Sequence, residues 1–283
     1  MHFGASIFFT EYSIGPAALA RALEERGFES LWVGEHSHIP LSRRSPLPGG
    51  GEPDKSFSDV MDPFVTLTAA SAVTTRLILG TAVCLLIQRD TIQTAKAVAS
   101  LDHLSGGRVQ FGVGAGWNAE EMEDHGTVFA TRFTRLREQV EALREIWTQD
   151  EPEYHGEIVD FPPMTTGPKP VQKPHPPILI GGAFPHAARR AIRFGDGWLP
   201  AGRSVSGDPE AYLPRFRQMA EDAGRDPASL PVTLGSAPEN LTVLARYREL
   251  GVARMRISLP AAGAETILPV LDRWASLVRQ LSG

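Results

Sequence analysis

Three glycines in the segment GVGAGWN, residues 112–118, are the first feature of this sequence that could do chemistry. Glycine-rich turns after a strand can hold phosphates, and the dinucleotide fingerprint G-x-G-x-x-G is one such turn. The third glycine of that fingerprint would fall at position 117, which is Trp117. The segment also follows a third of the chain instead of opening an early βαβ unit, so a dinucleotide site of this type is not favoured.

A second candidate is the pair Glu35 and His36, at the end of the apolar segment SLWVGEH. Histidine titrates near neutral pH and suits proton transfer to or from a substrate. The alternative is a structural pair, with Glu35 bound to a helix or to an arginine at the barrel floor. His36 and His38 do not have the spacing of a metal-binding helix, and H-E-x-x-H does not occur, so no metal site is predicted.

A second glycine turn lies in the segment IGGAFPHAARRA, residues 180–191. Backbone amides at the start of a helix can bind a phosphate group. This turn is therefore a candidate phosphate site, and an ordinary strand-to-helix turn is the alternative.

The elements that must position these residues alternate between short apolar strands and helical patterns. Eight such units in one chain favour a closed (β/α)8 barrel, an α/β fold, over a doubly wound open sheet. We predict one domain over residues 1–283. The predicted strands span residues 2–9, 30–36, 77–86, 108–116, 176–183, 197–202, 231–237 and 254–260.

Two segments interrupt the alternation. Residues 40–59 are rich in proline, glycine and serine and follow strand two, so they are predicted to form a lid on the catalytic face of the barrel. Residues 150–176 form an insertion between units four and five, and its part YHGEIVDFPP is predicted to be a hairpin. Asp62 and Pro63 have the types expected at the N-cap and first position of the next helix.

Composition restricts the class of protein. The chain of 283 residues has a formal net charge of −5, which disfavours nucleic-acid or anionic-membrane partners. The single cysteine, Cys84, lies in an apolar run and is expected to pack in the core. The N-terminus lacks the pattern of a signal peptide, and no run of 18 apolar residues occurs, so a cytoplasmic enzyme acting on a small molecule is expected.

Six segments in the same order resemble the bacterial-luciferase-like oxidoreductases. The resemblance covers residues 1 to about 202, and the segments GVGAGWN and PKPVQ…PPI are similar to the branch that uses coenzyme F420, a deazaflavin. The segments are SLWVGEHSHIP, DPFVTLTAASAVTTRLILGTAVCLL, LDHLSGGRVQFGVGAGWNAEEM, YHGEIVDFPP, PKPVQKPHPPILIGGA and GDGWLP.

The resemblance implies a (β/α)8 barrel with coenzyme F420 or FMN at its C-terminal face. It places His36, beside Glu35, near the hydride-bearing carbon as a proton donor or substrate anchor. It implies a cis peptide between Ala82 and Val83 behind the ring, a phosphate site at Gly181, Gly182 and Ala183 with Trp198 nearby, and a homodimer. The remaining residues implied for the ring site are Gly114, Ala115, Gly116 and Asn118.

The expected function is hydride transfer between a bound deazaflavin and an unidentified organic substrate. An FMN-dependent monooxygenase and a non-catalytic deazaflavin- or flavin-binding protein are the alternatives. Trp117 stands where the sugar-phosphate dehydrogenases of the family have an acid, so glucose-6-phosphate oxidation is doubtful and a less polar substrate is expected. The lid cations Arg43, Arg44 and Lys55 are candidates to meet the cofactor's charged tail.

Overall fold

Eight parallel strands form a barrel in the computed structural model, which describes residues 1–282. The strands hydrogen-bond in the order β8-β7-β4-β3-β2-β1-β10-β9, and a parallel bridge between Trp198 and Val232 joins the two ends of this row. The (β/α)8 barrel predicted from the sequence is confirmed. In chain order the strands are β1 His2–Ile7, β2 Ser30–Val33, β3 Ile78–Thr81, β4 Val109–Val113, β5 Tyr154–His155, β6 Asp160–Phe161, β7 Ile178–Gly182, β8 Gly197–Pro200, β9 Thr233–Leu234 and β10 Arg254–Ser258.

Helices surround the barrel, and several begin at side chains that cap them. Asp62 accepts hydrogen bonds from the amides of Phe64 and Val65, as its predicted N-cap role requires. Short 3-10 helices cover Leu86–Gln88, Phe129–Thr131 and Pro227–Ser229. The α-helices are α1 Pro16–Glu25, α2 Ser56–Asp59, α3 Pro63–Ser71, α4 Thr91–Ser105, α5 Ala119–Asp124, α6 Arg132–Thr148, α7 His186–Phe194, α8 Arg203–Ser206, α9 Pro209–Asp222, α10 Leu241–Glu249 and α11 Ala264–Ser282.

The strands end earlier than their apolar sequence indicated. Strand β3 stops at Thr81, although the apolar run continues to Leu86. The residues after Thr81 leave the ladder as a buried loop, in which Cys84 and Leu85 are packed in the core, and the chain enters the 3-10 helix Leu86–Gln88. Burial without strand geometry explains the overrun, because an apolar run reports burial and not backbone conformation.

Strands β3 and β4 approach each other closely at Gly112. An added Cβ at Gly112 would lie 2.0 Å from the carbonyl oxygen of Thr81. The carbonyl of Gly112 accepts hydrogen bonds from Thr81 Oγ1 at 2.7 Å and from the Cys84 amide at 2.8 Å. The missing side chain is therefore what allows the end of β3 to pack onto β4.

Glu120 of α5 binds the lid segment 40–59 at three points. Glu120 accepts hydrogen bonds from the Ser42 hydroxyl, from the Arg44 amide at 3.0 Å and from the Ser45 amide at 2.7 Å. The Ser42 hydrogen bond and these two amides lower the pKa of Glu120 to about 2. The tether is thus present at neutral pH and is lost only as the pH falls from the ordinary value of 4.5 towards 2.

The insertion between α6 and β7 packs at the opposite, N-terminal end of the barrel. Its hairpin of β5 and β6 is antiparallel, as predicted. Glu138 of α6 accepts hydrogen bonds from the amides of Ile158 and Val159. Further along, Gln172 donates to the carbonyl of Val109, where β4 begins. The insertion therefore braces the barrel floor and leaves the C-terminal face to the lid.

Within residues 1–282, no helix combines the length and the apolar character that crossing a membrane requires.

Replacing Gly112 with alanine tests the approach of β3 to β4. Because the added methyl group would meet backbone atoms that cannot rotate away, we expect a loss of about 1–3 kcal/mol in the free energy of unfolding. Gly167→Ala is the matched control, since a methyl group there meets open space. Urea unfolding of both variants gives the comparison, and equal stabilities would contradict the close approach.

Replacing Glu120 with alanine tests the lid tether. Three hydrogen-bond donors of the lid lose their acceptor in this variant, so the lid should open more often. Cleavage within residues 40–55 by a nonspecific protease should then become at least about fivefold faster. Glu123→Ala is the control, because Glu123 contacts only the Arg44 side chain of the lid. Equal cleavage rates in the two variants would remove Glu120 from this role.

Candidate functional site

A cavity of about 780 Å³ opens at the carboxyl ends of the barrel strands. Its volume lies within the range of about 300–1,000 Å³ that is typical of small-molecule sites. The wall contains eight of the ten residues that the sequence predicted for cofactor binding: Ala82, Val83, Gly114, Ala115, Gly116, Gly181, Gly182 and Ala183. Pro48 of the lid also lines this cavity, so the lid covers the predicted face.

Val83 is the side chain around which this wall is built. A Cβ at Gly114 would lie 2.7 Å from Val83 Cγ2, and a Cβ at Gly181 would lie 2.5 Å from Val83 Cγ1. The two glycines thus give room to Val83 as well as exposing backbone to the cavity. The peptide between Ala82 and Val83 is cis, as the family resemblance implied.

The turn at Gly182 is held from behind by Trp198. Gly182 has a φ of +128°, a conformation that glycine adopts readily, and its carbonyl accepts hydrogen bonds from Trp198 Nε1 and the Ala201 amide, both at 3.2 Å. Trp198 is fully buried and packs on Phe216. It therefore orients the turn and does not line the cavity.

Two arginines beside this turn were not predicted from the sequence. Arg132 and Arg190 both contact the Phe133 ring, with guanidinium carbons 4.3 Å and 3.8 Å from its centroid. The Nη2 atom of Arg190 is 3.9 Å from the point where a Cβ of Gly182 would stand. Burial and, to a lesser extent, the charge of Arg132 together lower the pKa of Arg190 to about 10, so Arg190 remains a cation at neutral pH.

Neither guanidinium is neutralised by an acid. Among the described residues, no carboxylate lies within ion-pair distance of Arg132 or Arg190, and the Nε atom of each is buried without a hydrogen-bond partner. Two adjacent cations without counter-ions favour an anionic ligand at this end of the cavity.

A third cation, Arg256, lines the cavity from strand β10. Its guanidinium carbon is 5.7 Å from the centroid of Trp32, and Arg254 stands at 5.3 Å from the same ring. Two arginines at alternate positions of one barrel strand point to the same side, and this RMR spacing is the signal that could have predicted them.

The lid cations that the sequence favoured for the cofactor tail have other partners. Arg43 pairs with Glu52, Arg44 pairs with Glu123 at 2.6 Å, and Lys55 pairs with Asp59 at 2.6 Å. Their charges are already neutralised, so the structure favours Arg132 and Arg190 over the lid for an anionic group.

His36 is buried next to the cavity and not in its wall. Its Nδ1 lies 2.8 Å from Glu121 Oε2, and its ring packs against Trp117 at 5.9 Å and Phe57 at 5.3 Å. Trp117 does line the cavity, which agrees with the apolar wall expected of it. Although burial raises the pKa of Glu121, the hydrogen bond and charge of His36 outweigh it, and the net shift is downward. An ionised Glu121 accepts a hydrogen bond from the Nδ1–H group of His36. The other ring nitrogen, Nε2, is then the one that can exchange a proton.

Glu121 is 85 residues from His36 in the chain, and no local pattern in the sequence connected them. Glu35, the predicted companion of His36, binds elsewhere. Its carboxylate accepts hydrogen bonds from the Leu85 amide at 2.7 Å and from Arg89 Nε at 2.6 Å. Glu35 thus holds the loop that carries Ala82 and Val83, and its arginine partner, Arg89, follows this loop instead of lying at the barrel floor.

Asn118 caps helix α5 and is absent from the cavity wall. Its side-chain oxygen accepts hydrogen bonds from the amides of Glu120 and Glu121, both at 3.2 Å. It therefore fixes the start of the helix that carries both carboxylates. In the described part of the chain, no group of three or more His, Cys, Asp or Glu side chains is arranged to hold a metal ion.

Known proteins share this architecture and sequence. Residues 16–238 match the family model described as luciferase-like monooxygenase. The uncharacterized protein Rv0953c of Mycobacterium tuberculosis is 42% identical over 282 residues, which cover 98% of each chain. The F420-dependent hydroxymycolic acid dehydrogenase of the same species is 29% identical over 230 residues, 80% of this chain and 58% of the relative. An FMNH2-dependent dimethylsulfone monooxygenase of Pseudomonas putida is 38% identical over 116 residues, 40% of this chain and 32% of the relative.

Solved structures give the same fold at lower identity. Monooxygenase RslO1 of Streptomyces bottropensis superposes with a TM-score of 0.80 at 21% identity, with full coverage of both chains. The coenzyme F420-dependent tetrahydromethanopterin reductase of Methanopyrus kandleri superposes with a TM-score of 0.75 at 16% identity, with 99% coverage of both. The barrel, the cis peptide in its third strand loop and the match over residues 16–238 agree, and the chain belongs to the luciferase-like monooxygenase family.

Proposed function

We propose that this protein is an oxidoreductase that binds coenzyme F420 and transfers a hydride between this deazaflavin and a small organic substrate. The observation that carries the proposal is one cavity with two different ends. A wall of small residues around Val83 suits a flat ring, and two unneutralised arginines beside the Gly182 turn suit a phosphate.

The charged end of the cavity favours the deazaflavin over FMN. Both cofactors carry a phosphate, but only coenzyme F420 continues into a tail of further carboxylates. Outside the cavity, a groove contains Arg190 together with Arg189 and Arg193 of α7. These cations suit the additional negative charges of the tail, which FMN lacks. The alignment with the F420-dependent relative covers 80% of this chain, and the alignment with the FMNH2-dependent relative covers 40%.

When bound, the deazaflavin would supply a carbon that accepts or donates a hydride. The protein's residues then have three tasks: Val83, Gly114 and Gly181 shape the ring site, Trp117 and the lid limit access of water, and His36 moves a proton. His36 can do so through Nε2, because Glu121 holds its Nδ1. Trp117, which lines the cavity, lies between His36 and the cavity and packs edge-to-face on the imidazole ring.

Titration of the protein with oxidised F420 and with FMN, followed by tryptophan fluorescence, tests the proposal. We expect tighter binding of F420, with a difference that shrinks at high salt because charged groups provide it. Tighter binding of FMN, with oxygen consumed when reduced FMN is supplied, would instead support the monooxygenase. F420 binding without hydride transfer to any of a panel of carbonyl and enone compounds would support a non-catalytic binding protein.

Replacing Arg190 with glutamine tests the anionic end of the cavity. We expect the affinity for F420 to fall at least tenfold, about 1.4 kcal/mol, with a weaker dependence on salt. Arg44→Gln is the control, since its acidic partners already neutralise this lid cation. A loss of affinity in Arg44→Gln and not in Arg190→Gln would place the phosphate and tail under the lid.

Replacing His36 with alanine tests its role in proton transfer. For a compound that the wild-type protein turns over, we expect kcat to fall roughly 10²–10⁴-fold while F420 affinity changes little. His38→Ala is the control, because His38 is exposed and bound to Asp124 on the surface. Wild-type turnover in His36→Ala would remove this residue from the mechanism.

A further inference from the structure

Arg256 is a cavity cation that the proposed chemistry has not yet used. It projects from β10 towards the ring of Trp32, and Gly235 of the neighbouring chain segment leaves room for it, since a Cβ there would lie 3.0 Å from Arg256 Nη2. Its Nε is buried without a hydrogen-bond partner, and among the described residues no carboxylate pairs with it. Burial and, to a lesser extent, the neighbouring charge of Arg254 together lower the pKa of Arg256 to about 10.

Other interior arginines of the barrel are fully engaged. Arg254, two residues earlier on the same strand, binds Glu29 through Nε at 2.6 Å and Gln110 at 2.9 Å. Arg108 donates to four backbone carbonyls, and Arg89 binds Glu35 and Asp62. A partly buried cation without a counter-ion is unfavourable for a fold, so Arg256 points to a negative charge that the ligand brings.

The two positive ends of the cavity lie on different strands. Arg190 stands beside Gly182 at the end of β7, whereas Arg256 belongs to β10, three strands further around the barrel. A ligand whose phosphate is held at Arg190 must therefore place another part of itself at Arg256. For coenzyme F420 the other part is the ring, so this inference rests on the proposed function.

The ring changes its charge during the reaction. A hydride that moves from a substrate C–H bond to the oxidised ring carries two electrons and one proton. The ring therefore gains one negative charge, and the substrate carbon loses the electron pair of the broken bond. That charge spreads over the pyrimidine end of the ring unless a second proton follows, and a fixed cation nearby would stabilise it without any rearrangement.

We propose that Arg256 binds the anionic, reduced form of the cofactor ring and so makes the site selective for the reduced over the oxidised state. It is a residue that sets the redox preference of the site, distinct from the arginine pair that binds the phosphate. The reduced cofactor is expected to bind more tightly than the oxidised one to the wild-type protein.

Arg256→Met and Arg256→Lys test the assignment, with dissociation constants measured for oxidised F420 and, without oxygen, for reduced F420. In Arg256→Met, affinity for the reduced form should fall at least tenfold more than affinity for the oxidised form. The reduction potential of the bound cofactor should become more negative by about 30 mV for each such factor of ten. Arg256→Lys should restore most of the preference, because it keeps the charge.

The stability of the ligand-free variants gives a second readout. Among the described residues, no carboxylate pairs with the Arg256 guanidinium and its Nε has no hydrogen-bond partner. Arg256→Met should therefore melt at the same temperature as the wild type or higher. A large loss of stability would show that the guanidinium serves the fold and would overturn the proposal. So would equal changes in affinity for the two redox states, or a change only in the KM of an anionic substrate, which would assign the cation to that substrate.

The proposed function is tested separately, by measuring whether the wild-type protein binds F420. If wild-type protein binds neither oxidised nor reduced F420, both proposals are overturned. If it binds both forms and only the Arg256 variants fail to discriminate as expected, the F420 assignment stands and the role of Arg256 does not.

Discussion

The contact between strands β3 and β4 at Gly112 is the constraint on which the rest of the site depends. Because no side chain separates Gly112 from Thr81, the carbonyl of Gly112 reaches both Thr81 Oγ1 and the Cys84 amide. The loop after β3 is thereby pinned to β4, and Glu35 pins the same loop from β2 through the Leu85 amide. Val83 is held between these anchors, where Gly114 and Gly181 leave space for it. The glycines that resemble a phosphate loop in the sequence thus serve packing first, and the cavity is the shape that this packing leaves.

The charged side chains of this barrel fall into two groups. Several carboxylates have partners within the protein, whereas the arginines of the cavity wall have no acidic partner. The carboxylates Glu29, Glu35, Glu120 and Glu121 each accept two or more hydrogen bonds from arginine, histidine or backbone amides. Such pairing holds the lid, the strand-three loop and His36 in place. Arg132, Arg190 and Arg256, for which no ion pair is found among the described residues, all line the cavity. The chain as a whole has a formal net charge of −5, whereas three arginines give the cavity wall a positive charge. The local field in the cavity therefore favours an anion, although the net charge of the molecule does not.

Local patterns predicted most of the fold and part of the site. All eight barrel strands, the cap at Asp62, the hairpin of β5 and β6 and eight cavity residues follow from apolar runs, capping residues, glycine turns and a family resemblance. The strand ends were overestimated because the run after Thr81 is buried without being extended. Glu121 could not be predicted as the partner of His36, since packing across 85 residues unites them. Asn118, which the family resemblance implied for the ring site, lies outside the cavity wall and caps helix α5.

The position of His36 behind Trp117 limits how the proposed chemistry can be organised. While the lid is closed, His36 is enclosed by Phe57 of the lid helix, by Trp117 and by Glu121. Helix α2, which carries Phe57, is part of the segment that Glu120 tethers through Ser42, Arg44 and Ser45. Movement of the lid would therefore expose His36 and the cavity together. Because Glu120 and Glu121 are adjacent on α5, one short helix capped by Asn118 fixes both the lid and the orientation of His36.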